Sequence, residues 1–453
     1  MTARDFRDEA ITAATPVSLE AYESALALFQ SWRTGMDEPL ELALQLAPAF
    51  TMAHVLAAYR HLTSRDPAHV IKAHAPYSRL KSLQANRREQ LHIDAIGATL
   101  ADDYRGAKAV LGALLAEYPR DVLALQVAHS FDYMTGDLDQ MAARTGTFLG
   151  GWHSTLPGYA AVLAMHAFSL AEAGHYRSAE RTAQMALSLD PGDGRAHHAL
   201  AHVQEMTERP DNGIRLLAES TPLWSQGTVV ATHCWWHLAL FHLSAGDGAT
   251  ALSIYDRHIR VTRSIEVPDL IDASALLWRL VLAGFDVGPR WTELAAAWAP
   301  RTHDAFCTFN DLHVMMAFVG ANDTASAAVL MQGLVSSLHA PTRYAETTRL
   351  VGLPACQGLA AFGRGDFGAA VERLGTVPPS MYRIGGSHAQ RDVLYLTMMR
   401  GIEGLRRPLT ALPAGHHRSP SPDQEVRLTL PRQRTVSAPP GRSVAGEARA
   451  AGR

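Results

Sequence analysis

The feature that most constrains the fold is a helix–turn–helix pattern that recurs at a nearly constant spacing. Turn glycines separate two apolar-periodic runs at Gly136, Gly174 and Gly246. Gly174 lies 38 residues after Gly136, and Gly246 lies 72 residues, or two units, after Gly174. Each unit therefore spans about 34–38 residues. Because one helical hairpin cannot bury its apolar face alone, such units must stack and share a continuous core.

The segment 158–193, GYAAVLAMHAFSLAEAGHYRSAERTAQMALSLDPGD, shows one unit in full. Apolar residues recur every three or four positions, break at Gly174, and resume until Pro191 stops the second helix. The alternation that would indicate strands is absent from the sequence. The pattern has the tetratricopeptide period and predicts an all-α fold, a right-handed α-α superhelix of tetratricopeptide-like helical hairpins.

Composition sets the domain boundaries and excludes several classes of function. We expect a flexible N-terminus over residues 1–15, the array over 16–405, and a disordered Pro/Arg-rich tail over 406–453. A net charge of -3 does not suggest a nucleic-acid binder. Three scattered cysteines, no apolar leader and no long apolar run favour a cytoplasmic protein without a membrane partner.

Four segments resemble the tetratricopeptide repeat protein 38 family. They are RAHHALAHVQEM (195–206), THCWWHLALFHL (232–243), LWRL (277–280) and RIGGSHAQRD (383–392). The resemblance covers roughly residues 15–405 and implies a right-handed superhelix of helical hairpins. It implies no reaction, substrate or partner, so function must be argued from the site.

Histidines on two successive predicted helices form the main candidate site. His198, His202 and Glu205 are spaced i, i+4, i+7 and therefore share one helix face. His233 and His237 repeat the i, i+4 spacing 35 residues later, on the first helix of the next unit. Trp236 flanks this second pair. We expect these side chains to converge in the concave groove, where repeat arrays usually bind their ligands.

Residues further along the chain complete the predicted groove, because a curled superhelix brings distant repeats face to face. Asp311 and His313 lie in FNDLHVMMAF, and Ser387 begins a helix with a capping box. The remaining predicted ligand-binding residues share one face of that last helix: His388, Arg391 and Asp392.

Several interpretations of this groove stay open. The histidines could be hydrogen-bonded core residues, or they could bind a peptide segment or a small polar ligand, with Arg391 holding a carboxylate and Trp236 supplying a stacking surface. An enzyme using the histidines as acid–base groups is an alternative, and so is zinc bound by His198, His202, Glu205 and His233. A homo-oligomeric scaffold is a further alternative. We assign no catalytic residue, no metal ligand and no cofactor from the sequence.

Overall fold

The computed structural model describes residues 3–406, which fold as an all-α array of helical hairpins. Two short strands precede the helices, β1 (Ala3–Arg4) and β2 (Ala10–Ile11), and pair antiparallel with Ala3 opposite Ile11. The predicted all-α fold is confirmed. The tail predicted for residues 406–453 lies outside the described residues from position 407 onward.

The first half of the described chain contains fourteen α-helices: α1 Pro16–Gln30, α2 Asp37–Leu46, α3 Thr51–Leu62, α4 Pro67–Lys72, α5 His74–Leu80, α6 Arg87–Leu100, α7 Tyr104–Glu117, α8 Val122–Thr135, α9 Leu138–Leu149, α10 Tyr159–Glu172, α11 Tyr176–Leu189, α12 Gly194–Met206, α13 Pro210–Glu219 and α14 Thr221–Trp224. Successive pairs such as α6 and α7, or α10 and α11, pack as antiparallel hairpins.

The second half continues with ten more: α15 Ala231–Ser244, α16 Gly248–Ile254, α17 Val267–Leu282, α18 Arg290–Trp298, α19 Thr308–Gly320, α20 Thr324–Ser337, α21 Arg343–Thr347, α22 Leu353–Gly363, α23 Phe367–Gly375 and α24 His388–Arg406. One π-helical turn follows α16 at Tyr255–Ile259, and another at Thr348–Gly352 precedes α22. Short 3-10 helices occupy Ala299–Arg301 and Pro378–Ile384.

Local chemistry explains why the hairpins begin and turn where they do. Aspartate side chains cap several helices by accepting a hydrogen bond from the backbone N–H three residues on, which satisfies a free donor of the first turn. These caps are Asp103, Asp121, Asp193, Asp247, Asp323 and Asp366. The predicted turn glycines have left-handed backbones, with φ of +79° at Gly136, +81° at Gly174 and +86° at Gly246. Glycine suits these turns because a side chain there is strained.

Alanines allow the two helices of each hairpin to approach closely. Six alanine side chains on helices of these hairpins are fully buried: Ala107, Ala167, Ala179, Ala186, Ala251 and Ala370. The apolar core is continuous from α12 to α24 and forms a second large body from the N-terminus to α10. Each unit therefore buries its apolar face against its neighbours, as a repeat array requires.

Residues 3–15, part of the N-terminus predicted to be flexible, pack against the helical array. The β1–β2 ribbon is held by buried ion pairs, with Arg7 Nη2 2.6 Å from Glu23 Oε1 and Arg88 Nη1 3.1 Å from Asp5 Oδ2. Thr12 N–H also donates to Glu89 Oε1 at 2.8 Å. These partners lie far apart in the sequence, so local composition does not reveal the docking.

Contacts between distant repeats close the array on itself. The loop after α1 pairs with the loop before α15, where Val229 N–H donates to Trp32 O at 2.8 Å. The loop after α3 meets the start of α19, because Asn310 Nδ2 donates to Arg65 O at 2.9 Å, and Arg301 Nη2 donates to Asp66 Oδ2 at 2.8 Å. Early, middle and late units therefore share one interior.

A stretch of the chain itself fills the centre of this interior. We call residues 383–392 the central segment; most of it is buried, including Ile384 and Ser387. It crosses the end of α8 so closely that a Cβ on Gly136 would lie 1.8 Å from Tyr382 O, and one on Gly385 would lie 2.5 Å from Met134 O. Glycine at both positions permits this approach of two backbones.

Candidate functional site

Four histidine rings from two neighbouring helices converge at the middle of the array. We call His198 and His202 of α12 with His233 and His237 of α15 the four-histidine cluster. One ring nitrogen of each lies within 4.8 Å of the corresponding atom of every other member. His198 Nε2 and His202 Nε2 are 2.9 Å apart. The stacking of equivalent helices therefore brings the two predicted His-x-x-x-His pairs together.

Carboxylates lie behind three of the rings. His233 Nδ1 donates to Asp272 Oδ1 of α17 at 2.8 Å. His202 Nδ1 lies 3.3 Å from Glu172 Oε1 of α10, and His237 Nδ1 lies 4.0 Å from Glu205 Oε2. Glu205 thus stands behind the cluster rather than among its converging nitrogens. Asp272 and Glu172 carry no repeat signal of their own, and the sequence analysis missed them.

Burial favours the neutral forms of His198, His202 and His237, and some polar atoms of the cluster have no partner within residues 3–406. His202 and His237 are fully buried, and burial is the main cause that lowers the pKa of His202 and places the pKa values of His198 and His237 well below the usual range. Among residues 3–406, neither ring nitrogen of His237 has a hydrogen-bond partner. Burial, and to a smaller extent repulsion from Asp392, raises the pKa of Glu205 to about 8.

Trp236 forms one wall of the cluster. Its ring stacks on that of His233, with centroids 5.0 Å apart and planes inclined by 11°. The guanidinium carbon of Arg279 lies 5.3 Å from the Trp236 ring centre, within the range of a cation–π contact. Trp236 is fully buried, so in this structure it packs against the cluster and offers no open stacking surface.

The last three predicted residues belong to the central segment, and their partners are intramolecular. His388 donates to Glu172 Oε2 through Nδ1 at 2.9 Å and through its backbone N–H at 3.0 Å. Asp392 pairs with Arg279. Arg391 is buried and donates to Gly386 O. The sequence suggests that Arg391 could bind a ligand carboxylate. In the structure its guanidinium donates hydrogen bonds to backbone carbonyls, because the central segment folds back into the interior.

Asp311 and His313 make their hydrogen bonds within their own part of the array. Both are buried on α19. Tyr344 Oη donates to Asp311 Oδ2 at 2.8 Å, and His313 Nδ1 donates to Phe309 O at 2.7 Å. Burial raises the pKa of Asp311 to about 7 and lowers that of His313 to about 4. These two side chains are therefore core residues in this structure, rather than a wall of the cluster.

Open space lies on the other side of the central segment. Two cavities of about 730 and 980 Å³ share Arg105, Lys108, Asp137 and Tyr382 and together form what we call the polar cleft. Of the predicted ligand-binding residues, His388 is the one on its wall. Arg105 and Lys108 lie on α7, in a unit where the sequence showed only repeat residues, so no signal distinguished them.

The polar cleft carries both signs of charge. Its wall includes cationic and acidic side chains: Arg105, Lys108, Arg144, Arg343, Arg349, Arg383, Asp102, Asp103, Asp132, Asp137, Asp139, Glu172 and Glu346. Several are paired, as Arg144 Nε is with Asp132 Oδ2 at 2.8 Å. Arg343 Nε is buried and has no hydrogen-bond partner within residues 3–406. Exposed charged side chains of the wall, such as Arg105, can form hydrogen bonds with a polar ligand.

No family model matches this chain. Among solved structures, the tetratricopeptide repeat domain of P58(IPK) aligns with 86% of this chain and 97% of that chain, at 12% sequence identity and a TM-score of 0.22. In the part of the chain that the structure describes, the search for a helix of sufficient length and apolarity to cross a membrane found none. The hairpins described above make the chain a tetratricopeptide-like repeat protein.

Proposed function

We propose that this repeat protein binds a peptide segment of a partner protein in the polar cleft. The proposal rests on the observation that the interior of the array already binds the backbone of the central segment. Arg65 Nη1 donates to Ile384 O at 3.3 Å, and Arg279 Nη2 donates to Ala389 O at 2.6 Å. Side chains that emerge from widely separated units thus bind one irregular stretch of chain.

The polar cleft extends this surface to solvent. His388 and Tyr382, at and beside the central segment, form part of its wall, and Arg105 stands exposed at its mouth. A wall with both signs of charge suits a peptide, which brings N–H donors, C=O acceptors and charged side chains, better than it suits a polyanion. A small polar molecule is the alternative ligand.

Membership of the tetratricopeptide repeat protein 38 family and a cytoplasmic location are part of the same proposal. The family rests on the segments around the four-histidine cluster and the central segment. The location is supported by the cysteines, since Cys234, Cys307 and Cys356 are all free thiols.

Selection from a random peptide library displayed on phage tests the proposed function, with the purified full chain as the target. We expect enriched peptides whose affinity falls at least about tenfold in Arg105→Glu, because reversing a charge at the mouth costs about 1.4 kcal/mol or more. Arg177→Glu is the matched control, an exposed arginine on α11 that lies outside the cleft wall.

Two results would contradict the peptide proposal. In one, no peptide is enriched while small polar compounds raise the unfolding temperature, which supports the small-ligand alternative. In the other, peptides bind both charge-reversed variants as well as the wild type, which places the binding surface elsewhere.

A further inference from the structure

None of the four histidines of the cluster lines the polar cleft, although Glu172 borders both, and the cluster has a chemistry of its own. We propose that His198, His202, His233 and His237 bind one divalent transition-metal ion, zinc in preference to the others. This site is independent of the proposed peptide binding. It differs from the zinc set considered in the sequence analysis, because His237 takes the place of Glu205.

The spacing of the nitrogens is close to what a zinc ion requires. Four nitrogens at about 2.0–2.1 Å from a tetrahedral zinc lie about 3.3 Å from one another. In the structure one pair, His198 Nε2 and His202 Nε2, is 2.9 Å apart, and all four ligand atoms lie within 4.8 Å of one another. Small changes of side-chain torsion angles are enough to reach the tetrahedral arrangement, since both histidine pairs already sit on rigid helices.

The carboxylates behind the rings occupy the positions expected around a metal site. A metal-bound histidine usually donates its other N–H to a carboxylate, which fixes the ring orientation. Asp272 accepts such a bond from His233, and Glu172 lies 3.3 Å from His202 Nδ1. These contacts use the Nδ1 atoms, so the Nε2 atoms of His202 and His233 can face the centre, where His202 Nε2 already lies 2.9 Å from His198 Nε2. Two carboxylate charges also balance a divalent cation.

The alternative of a hydrogen-bonded histidine core does not account for His237. A buried imidazole nitrogen without a partner costs roughly 1–3 kcal/mol, so proteins rarely leave one unpaired. Both nitrogens of His237 lack partners within the described chain. A bound ion would satisfy the inward nitrogen of every ring at once.

The number of ligands indicates what such an ion would do. Catalytic zinc keeps an open position for water or substrate, whereas structural zinc has four protein ligands. Four histidines leave no open position, so the ion would cross-link α12 and α15 of neighbouring units rather than activate a water molecule. Imidazole ligands suit zinc, and Irving–Williams preference makes copper and nickel the competitors to test.

Metal analysis of the full chain tests this site. Protein stripped with a strong chelator is mixed with excess zinc, desalted, and analysed by plasma mass spectrometry. We expect about one zinc per chain in the wild type and in His197→Gln, and less than about one fifth of that in His237→Gln. His197 is the matched control because it precedes His198 on the same helix but bonds Pro191 O at 2.8 Å.

Cobalt provides a readout that does not depend on a variant folding. Bound to the wild-type chain, Co²⁺ is expected to show the strong visible absorption of tetrahedral coordination, and zinc is expected to displace it. Wild-type protein that retains no zinc, copper or nickel after desalting and shows no such cobalt spectrum would overturn the proposal, and so would equal zinc content in the two histidine variants. None of these results bears on peptide binding to the cleft.

Discussion

Two buried polar regions of this protein surround their histidines in opposite ways. One is the N-terminal ion network, in which Arg88 pairs with Asp5 and Asp121, and the other is the four-histidine cluster. His92 on α6 has a partner at each nitrogen, with Nε2 donating to Asp121 Oδ2 at 2.8 Å and Nδ1 lying 3.3 Å from Tyr59 Oη. Within the described part of the chain, His237 has a hydrogen-bond partner at neither nitrogen. The contrast separates a histidine that stabilises the core from one that is available to a ligand.

The charges around the two histidines differ in the same way. Arg88 Nε donates to Asp121 Oδ2 at 2.6 Å. Burial raises the pKa of Asp121, but the charge of Arg88 and further interactions outweigh burial and hold this pKa well below its usual range. Around the cluster, Glu205 has no such cation in direct contact among residues 3–406, and burial raises its pKa. Within residues 3–406, both ring nitrogens of His92 thus have partners in the chain itself, whereas both ring nitrogens of His237 are left unpaired.

The largest expected effect comes from removing the cation of the first region. Arg88→Ala leaves Asp5 and Asp121 buried without it, and we expect the free energy of unfolding to fall by about 3–5 kcal/mol in urea titrations. Its neighbour Arg87 is exposed and pairs with Glu117 at 3.1 Å, so Arg87→Ala is expected to cost far less, because solvent screens an exposed ion pair. Equal losses would mean that the buried network does not stabilise the N-terminus.

A pair of leucine substitutions tests the contrast between the histidines directly. In metal-free protein, His92→Leu takes a donor from a buried carboxylate, and we expect it to cost about 2–3 kcal/mol of unfolding free energy. His237→Leu loses no hydrogen bond and is expected to cost less than about 1 kcal/mol. Urea unfolding in the presence of a chelator measures both. A similar cost at the two positions would show that His237 has partners in solution.

The smallest expected effect concerns the buried carboxyl of Asp311. Burial raises the pKa of Asp311 from 3.8 to about 7. The folded state therefore binds the proton of the Asp311 carboxyl more tightly than the unfolded state does. The stability that this protonation contributes is complete below about pH 4 and is lost as the pH rises through about 7. Asp311→Asn removes this dependence, because an amide does not titrate there.

We therefore expect the unfolding free energy of Asp311→Asn relative to wild type to rise by about 1–3 kcal/mol between pH 4.5 and pH 8. The variant keeps an oxygen that can accept the hydrogen bond from Tyr344. Paired urea titrations at the two pH values measure the change, and a relative stability that stays constant would contradict a raised pKa at Asp311.

Sequence periodicity was sufficient for the features that repeat. The turn glycines have the left-handed backbones that their positions predicted, and the 35-residue offset between His198 and His233 placed them on equivalent faces of adjacent stacked helices. This alignment follows from the geometry of a repeat array, in which equivalent residues of adjacent units become neighbours.

Features that break the repeat could not be derived in the same way. The pairing of Glu172 with His388 spans 216 residues and that of Arg279 with Asp392 spans 113, with no common period. The docking of Arg7 on Glu23 likewise depends on one specific contact rather than on a pattern. Such contacts require the global path of the chain, which local patterns do not contain.

The central segment has a consequence for how this molecule comes apart. In most solenoids each unit touches only its neighbours, so the ends can fray and unzip while the rest stays folded. Here Arg65, Glu172 and Arg279, from early, middle and late units, all bind one stretch near the end of the described chain. Loss of that stretch removes contacts throughout the array at once. We therefore expect the described array to unfold in a single cooperative transition.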